Sequence, residues 1–198
     1  MTLPNQLTVL RIILTPIFLY LFLSKDPLLI QISLGVFIIA ALTDWYDGWL
    51  ARKYNYITDW GKFWDPLADK ILTSTAFVGF IVIGKVEFWM VLLIVIRDLL
   101  ITLLRSYADY KKIIFPTSRY AKWKTAIQMT FLYYLLLLYT FVNTKHIYNT
   151  NPKLFNMLFD DKIIYYGMAL VTIITVHSGF SYLYNNREII RRLLRSET

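Results

Sequence analysis

Cysteine is absent from this chain of 198 residues, and charged residues make up only 17% of it. The absence of cysteine excludes disulfide bonds and metal sites with thiolate ligands. Soluble domains carry about 25% charged residues, whereas this chain is 57% hydrophobic and 17% aromatic. Together with apolar runs of about 20 residues, this composition excludes a soluble enzyme, a disordered tail and a nucleic-acid-binding module.

The charge balance is strongly basic, with a formal net charge of +8. A basic protein of ordinary composition would be a candidate for nucleic-acid binding. A membrane protein whose cytoplasmic loops face anionic lipid carries the same excess of Lys and Arg. We therefore expect the partner to be the lipid bilayer, with no nucleic acid.

Apolar runs long enough to cross a bilayer occur six times. The joining segments are short except 144–162, which leaves no room for a separate soluble domain. The sequence thus predicts an all-α, polytopic integral membrane protein in which residues 1–198 form one domain. The six predicted spans are 7–24, 28–50, 66–84, 88–108, 123–143 and 163–184.

Positive charges are concentrated on one side of the predicted spans. The segments after the second and fourth spans and the tail after the sixth hold most of the Lys and Arg residues. Lys and Arg are in excess on the cytoplasmic side of membrane proteins. We therefore expect both termini and the active site to face the cytoplasm.

Five of the 13 acidic residues lie between Asp44 and Asp69, although charged groups are costly near a membrane. Asp44 and Asp47 lie one turn apart at the end of the second span. Asp65 and Asp69 lie one turn apart in the first turns of the third, where Pro66 suits a helix start because its missing N–H costs nothing there. A short loop between these helices allows all four carboxylates to come together.

Four adjacent carboxylates repel one another unless cations neutralise them, and hard oxygen ligands suit Mg²⁺ or Mn²⁺. Two such ions commonly stabilise the attacking and leaving oxygens in a displacement at phosphorus. Arg52 is placed to bind a phosphate oxygen. The alternative is a cation-coupled transporter, in which the same four Asp residues form ion sites.

At these positions the sequence resembles the CDP-alcohol phosphotransferase family. The family signature is D-x-x-D-G-x-x-A-R, about eight residues, and then G-x-x-x-D-x-x-x-D. Eight fixed positions match by chance with odds on the order of 10⁻¹⁰ per starting residue. All eight are met here, by Asp44, Asp47, Gly48, Ala51, Arg52, Gly61, Asp65 and Asp69.

The resemblance implies transfer of a phosphatidyl group from CDP-diacylglycerol to an alcohol, with release of CMP. It implies that the four Asp residues hold two divalent ions and that Asp69 is also the general base for the acceptor hydroxyl. Family members are typically homodimers, and we expect this chain in a bacterial inner (plasma) membrane, with the membrane of an organelle of bacterial origin as the alternative. The CDP pocket would be lined by Asp47, Gly48, Ala51, Arg52 and Gly61.

The residues that flank the signature resemble those of the bacterial phosphatidylglycerophosphate synthase subfamily, whose acceptor is sn-glycerol 3-phosphate. The similar stretches are Leu3–Arg11, Arg97-Asp98 with Arg105, and Lys122–Met129. The subfamily usually has Arg-Glu where this chain has Arg97-Asp98. The same chemistry with another acceptor is the alternative, and the candidate acceptors are phosphatidylglycerol, inositol phosphate and serine.

An acceptor with its own phosphate needs cations beyond those that bind CDP. We expect Arg105 and Lys124, with Arg97 or Arg119, to bind the acceptor phosphate. The alternative for Arg105, Arg119 and Lys124 is a role as positive anchors on the cytoplasmic side. The alternative for Arg97 is a structural pairing with Asp98 or another buried carboxylate.

The first span carries polar residues at its cytoplasmic end. Asn5, Thr8 and Arg11 are spaced three residues apart on the predicted helix. We assign Asn5 and Thr8 to CDP contacts, with support of the neighbouring ligands or plain solvation of a helix end as alternatives.

Overall fold

The computed structural model describes residues 3–54, 59–111, 113 and 119–195. These residues form helices and short connections, with no β-strand among them. The described helices are α1 (Leu3–Phe22), α2 (Pro27–Tyr54), α3 (Asp59–Val82), α4 (Phe88–Tyr110), α5 (Arg119–Asn143), α6 (Lys145–Tyr148), α7 (Pro152–Leu158), α8 (Asp161–Asn185) and α9 (Arg187–Arg195).

The all-α prediction is confirmed for the described residues, and a long helix covers most of each of the six apolar runs. Two segments of this part, Tyr120–Asn143 and Pro152–Asn185, are long and apolar enough to cross a membrane. Gln6–Phe22 and Pro27–Thr43 are shorter apolar segments. Six crossings therefore stay a prediction.

The six long helices form a closed ring. Helix α1 packs between α2 and α3, α4 packs between α3 and α8, and α5 packs between α8 and α2. The carboxylate-bearing helix α3 thus lies between α1 and α4, and it also contacts α5. Polar residues from all three neighbours can therefore reach one site.

Aromatic packing holds α1 against α3. The rings of Phe22 and Phe80 meet edge to face with centroids 5.1 Å apart, and Phe18 lies 5.4 Å from Phe22. Gly79 allows this approach, because a Cβ atom there would lie 2.8 Å from two ring carbons of Phe22. The close contact fixes α1 beside the carboxylates of α3.

The prediction that Pro66 starts a helix is wrong. Helix α3 begins at Asp59, so Pro66 lies inside it. Proline donates no N–H to the preceding turn and usually interrupts a helix. The prediction failed because hydropathy marks where the chain becomes apolar. Helix α3 begins before that point, in a more polar segment of the chain.

Candidate active site

Asp65 and Asp69 lie one turn apart on α3, and both side chains are partly exposed. The hydroxyl of Thr8 donates a hydrogen bond to Oδ1 of Asp65. Thr8 and Arg11 are both fully buried on α1, and the charge of Arg11 acts on Asp65. Residues of helix α1 therefore orient this carboxylate.

The burial of Thr8 is inconsistent with plain solvation of a helix end. Its bond to Asp65 agrees with the alternative that Thr8 supports a neighbouring ligand. A contact from Thr8 to CDP stays a prediction. Gly61 is buried on α3, one turn before Asp65.

Asp69 is paired with the next residue in the chain. Nζ of Lys70 lies 3.0 Å from Oδ2 of Asp69, and the two side chains are 17% and 30% exposed respectively. Sequence reasoning missed Lys70. Its position beside an Asp within an apolar run was a usable signal, because ionisable residues at membrane depth are functional candidates.

The described carboxylates fit part of a divalent-metal site. Asp65 and Asp69 supply hard oxygen donors from one face of α3, which Mg²⁺ and Mn²⁺ prefer. No group of three or more His, Cys, Asp or Glu residues comes together among the described side chains. The side chains of Asp44 and Asp47 lie outside that part, so the set of four stays a prediction.

Several other predicted site residues have side chains outside the described part. Their roles in binding CDP or the acceptor therefore stay predictions. They are Asn5, Gly48, Ala51, Arg52 and Arg119.

A cavity of about 520 Å³ opens between α3, α4 and α5. Pro66 and Lys70, which flank Asp69 in sequence, form part of its wall. The cationic lining residues are Lys70, Arg97, Arg105 and Lys122, and the acidic ones are Asp98 and Asp109. Four cations and two carboxylates give the cavity a net charge of +2, so it suits an anion.

Asp98, which also lines the cavity, forms the centre of a buried network. Its Oδ1 accepts a hydrogen bond from Lys124 and one of 3.0 Å from Arg97, and its Oδ2 accepts one of 3.2 Å from Gln128. Nη2 of Arg97 also donates to the hydroxyl of Ser178 at 2.9 Å. This single carboxylate therefore connects α4 to α5, and through Arg97 to α8.

The network separates the predicted acceptor cations into two groups. Lys124 is only 1% exposed and faces Asp98, whereas Arg97 and Arg105 line the cavity. Arg97 also forms the structural pair with Asp98 that the sequence left open as an alternative. Sequence reasoning did not single out Gln128 as a partner of Asp98.

Helix α8 holds both arginines against the cavity. A Cβ atom at Gly179 would lie 2.9 Å from Cγ of Arg97, so the glycine gives that side chain its space. Nε of Arg105 donates to the hydroxyl of Tyr182 at 3.0 Å, with the guanidinium 5.0 Å from the ring centre. Nε of Arg97 and Nη2 of Arg105 are buried without a hydrogen-bond partner among the described residues, which leaves donors for an anion.

Comparison with known proteins identifies the family of the chain. Residues 1–159 match the CDP-alcohol phosphatidyltransferase family. The chain belongs to this family, as the signature predicted, and it is an enzyme that transfers phosphatidyl groups.

Relatives similar to the chain along most of its length share one name. A protein of Rickettsia bellii is 35% identical over 183 residues, which cover 91% of this chain and 92% of the relative. A protein of Bacillus subtilis is 32% identical over 201 residues, covering 96% and 97% respectively. Both are named CDP-diacylglycerol–glycerol-3-phosphate 3-phosphatidyltransferase.

Proposed function

We propose that this chain transfers the phosphatidyl group of CDP-diacylglycerol to sn-glycerol 3-phosphate, giving phosphatidylglycerophosphate and CMP. The observation that carries the proposal is the cationic cavity beside Asp69, which offers a site for the phosphate of the acceptor. The names of the relatives from Rickettsia bellii and Bacillus subtilis support the same acceptor.

The proposed chemistry is a displacement at the phosphatidyl phosphorus. An acceptor hydroxyl attacks that phosphorus, the bond to the CMP oxygen breaks, and the hydroxyl proton passes to Asp69. General bases must lie within hydrogen-bond reach of the proton that they remove, and Asp69 is partly exposed. Two divalent ions on Asp44, Asp47, Asp65 and Asp69 would stabilise charge on the diphosphate.

The remaining site residues have roles that follow from the signature. We propose that the CDP moiety lies against Asp47, Gly48, Ala51, Arg52 and Gly61, with Asn5 and Thr8 at the end of α1. The acceptor phosphate lies against Arg97 and Arg105, with Arg119 as a further candidate. Lys124 supports this phosphate site indirectly, because it pairs with Asp98, which also pairs with Arg97.

The membrane setting is part of the proposal. Six spans, with both termini and the active site on the cytoplasmic side of an inner (plasma) membrane, agree with the positions of the six long helices. Residues 1–198 act as one domain, and two chains form a homodimer. The diacylglycerol tails remain in the bilayer while the headgroups react at its surface.

The test of this proposal is CMP release by purified protein in detergent with CDP-diacylglycerol and Mg²⁺. Glycerol 3-phosphate, phosphatidylglycerol, inositol phosphate and serine are supplied one at a time. We expect release with glycerol 3-phosphate alone, abolished by EDTA and by Asp69→Asn. Asp161→Asn is the matched control, because Asp161 pairs with Lys85 at the other end of the bundle.

Each other result contradicts a defined part of the proposal. Release with serine, which carries no phosphate, removes the role of the cavity cations and keeps the carboxylate roles. Release with phosphatidylglycerol or inositol phosphate contradicts glycerol 3-phosphate as the acceptor and keeps the carboxylate roles. Normal activity of Asp69→Asn removes the base assignment. Folded protein that neither releases CMP nor binds CDP-diacylglycerol favours the cation-coupled transporter.

A further inference from the structure

We propose that Lys70 is a specificity-determining residue that binds the acceptor phosphate directly beside the base. The inference rests on the proposed function, because it takes Asp69 as the base and glycerol 3-phosphate as the acceptor. It adds a residue that the family signature does not contain.

The first argument is the position of the ammonium group. Lys70 lines the cationic cavity together with Arg97 and Arg105, and its Nζ lies 3.0 Å from Oδ2 of Asp69. Among the described cations of the cavity, Lys70 alone has a hydrogen bond to a signature carboxylate. Its charge therefore lies between the proposed base and the anion site.

The second argument is the reach of a small acceptor. Glycerol 3-phosphate carries its hydroxyl and its phosphate on one three-carbon chain. Hydrogen bonds to Asp69 and to Lys70 each need a separation of about 2.8 Å, and the two protein groups are themselves only 3.0 Å apart. One bound molecule can therefore contact both groups at once.

The third argument is the free hydrogen-bonding capacity of Lys70. A lysine ammonium has three N–H donors, and within the described part of the chain it donates one hydrogen bond, to Asp69. Arg97, by contrast, already uses Nη1 on Asp98 and Nη2 on Ser178. Lys70 thus has two donors for a phosphate while it stays in contact with the base.

The test compares Lys70→Met with Lys162→Met, since Lys162 is exposed in the first turn of α8 and is not among the residues that line the cavity. A hydrogen bond to a charged group contributes enough that its loss weakens binding by about tenfold or more. We expect Lys70→Met to raise the KM for glycerol 3-phosphate by about that factor. The KM for CDP-diacylglycerol should change less than about twofold, and Lys162→Met should have a small effect on both.

Two further variants and a binding measurement keep the test decisive. Lys70→Arg retains the charge and should recover most of the affinity for glycerol 3-phosphate, while Lys70→Gln should not. Calorimetric titration of glycerol 3-phosphate into wild-type and variant protein separates binding from turnover. Retained binding of CDP-diacylglycerol shows that each variant is folded.

The outcomes distinguish the two proposals. Wild-type protein that binds glycerol 3-phosphate without releasing CMP contradicts the proposed function, while weaker binding by Lys70→Met still supports the phosphate contact. Unchanged binding by Lys70→Met, an equal rise in both KM values, or an equal effect of Lys162→Met overturns the role of Lys70. Wild-type protein that neither binds nor reacts overturns both proposals.

Discussion

At the scale of single residues, the hydrogen bond from Thr8 to Asp65 connects two helices through one polar contact. Thr8 is fully buried, so this hydroxyl has no access to water. Groups that hydrogen-bond a metal ligand fix its orientation, and their loss commonly costs about 10–100-fold in metal affinity or activity. The hydroxyl is therefore expected to matter to metal binding at Asp65.

Thr8→Val keeps the shape of the side chain and removes the hydroxyl. We expect the Mg²⁺ concentration for half-maximal CMP release to rise by about tenfold. Thr15→Val is the matched control, because Thr15 is also buried on α1 and its hydroxyl donates to the carbonyl of Arg11 in the same helix, at 2.8 Å. Equal Mg²⁺ requirements in the two variants would contradict a role of Thr8 in orienting Asp65.

The sequence identified Thr8 as a candidate but could not identify its partner. Thr8 and Asp65 are 57 residues apart, and helical spacing relates only residues within the same helix. The same limit applies to Arg97, for which the sequence allowed either a pairing with Asp98 or a role in binding the acceptor. The structure contains the pairing and also places Arg97 at the cavity.

At the scale of secondary-structure elements, Asp98 is the main polar connection between the helices around the cavity. It is 4% exposed and joins α4 to α5 through Lys124 and Gln128. Removal of one member of a buried ion pair leaves an uncompensated charge and destabilises a protein by about 3–5 kcal/mol. The packing of α4 against α5 should therefore depend on this carboxylate.

Asp98→Asn should lower the free energy of unfolding by about 3 kcal/mol, measured as a loss of thermal stability in detergent. Asp109→Asn is the control on the same helix, since Asp109 is exposed, and it should have little effect. Combining Asp98→Asn with Lys124→Met should recover part of the loss, because the unpaired ammonium is then absent. A double variant that is less stable than Asp98→Asn would contradict the pairing.

Hydropathy predicted the long helices well and their ends poorly. Each apolar run became a helix, but α3 begins at Asp59 and not near Pro66. The short helices α6 and α7 occupy the segment 144–162, which the sequence indicated only as a connection. Helices of four and seven residues are too short for a periodic apolar pattern to be recognised.

At the scale of the whole molecule, the ring of six helices explains how one site can use residues from distant parts of the chain. Helix α3 touches α1 and α4, and α5 touches α8. The number of long helices follows from the apolar runs. The order of the helices in the ring depends on which face of each helix packs against its neighbours. Hydropathy does not contain that information, because lipid-facing and buried apolar side chains have similar composition.

The number of membrane crossings is testable because the chain has no native cysteine, so each introduced cysteine is the only reactive thiol. Six crossings place Asp26, Glu87 and Lys153 outside the cytoplasm, and Lys53 and Arg191 inside. All five side chains are exposed. We expect a membrane-impermeant maleimide to label Asp26→Cys, Glu87→Cys and Lys153→Cys in intact cells. Lys53→Cys and Arg191→Cys should react only after the membrane is permeabilised.

Glu87→Cys is the decisive position for α3 and α4, as Asp26→Cys is for α1 and α2. If Tyr120–Asn143 and Pro152–Asn185 were the only crossings, Lys153 would still lie opposite Lys53 and Arg191, so labelling of these three positions fits both arrangements. Glu87, in the connection between α3 and α4, would then lie on the same side as Lys53. Its labelling in intact cells would require α3 to cross the bilayer, because only then do Glu87 and Lys53 face opposite sides, and α4 must then cross back before Tyr120–Asn143.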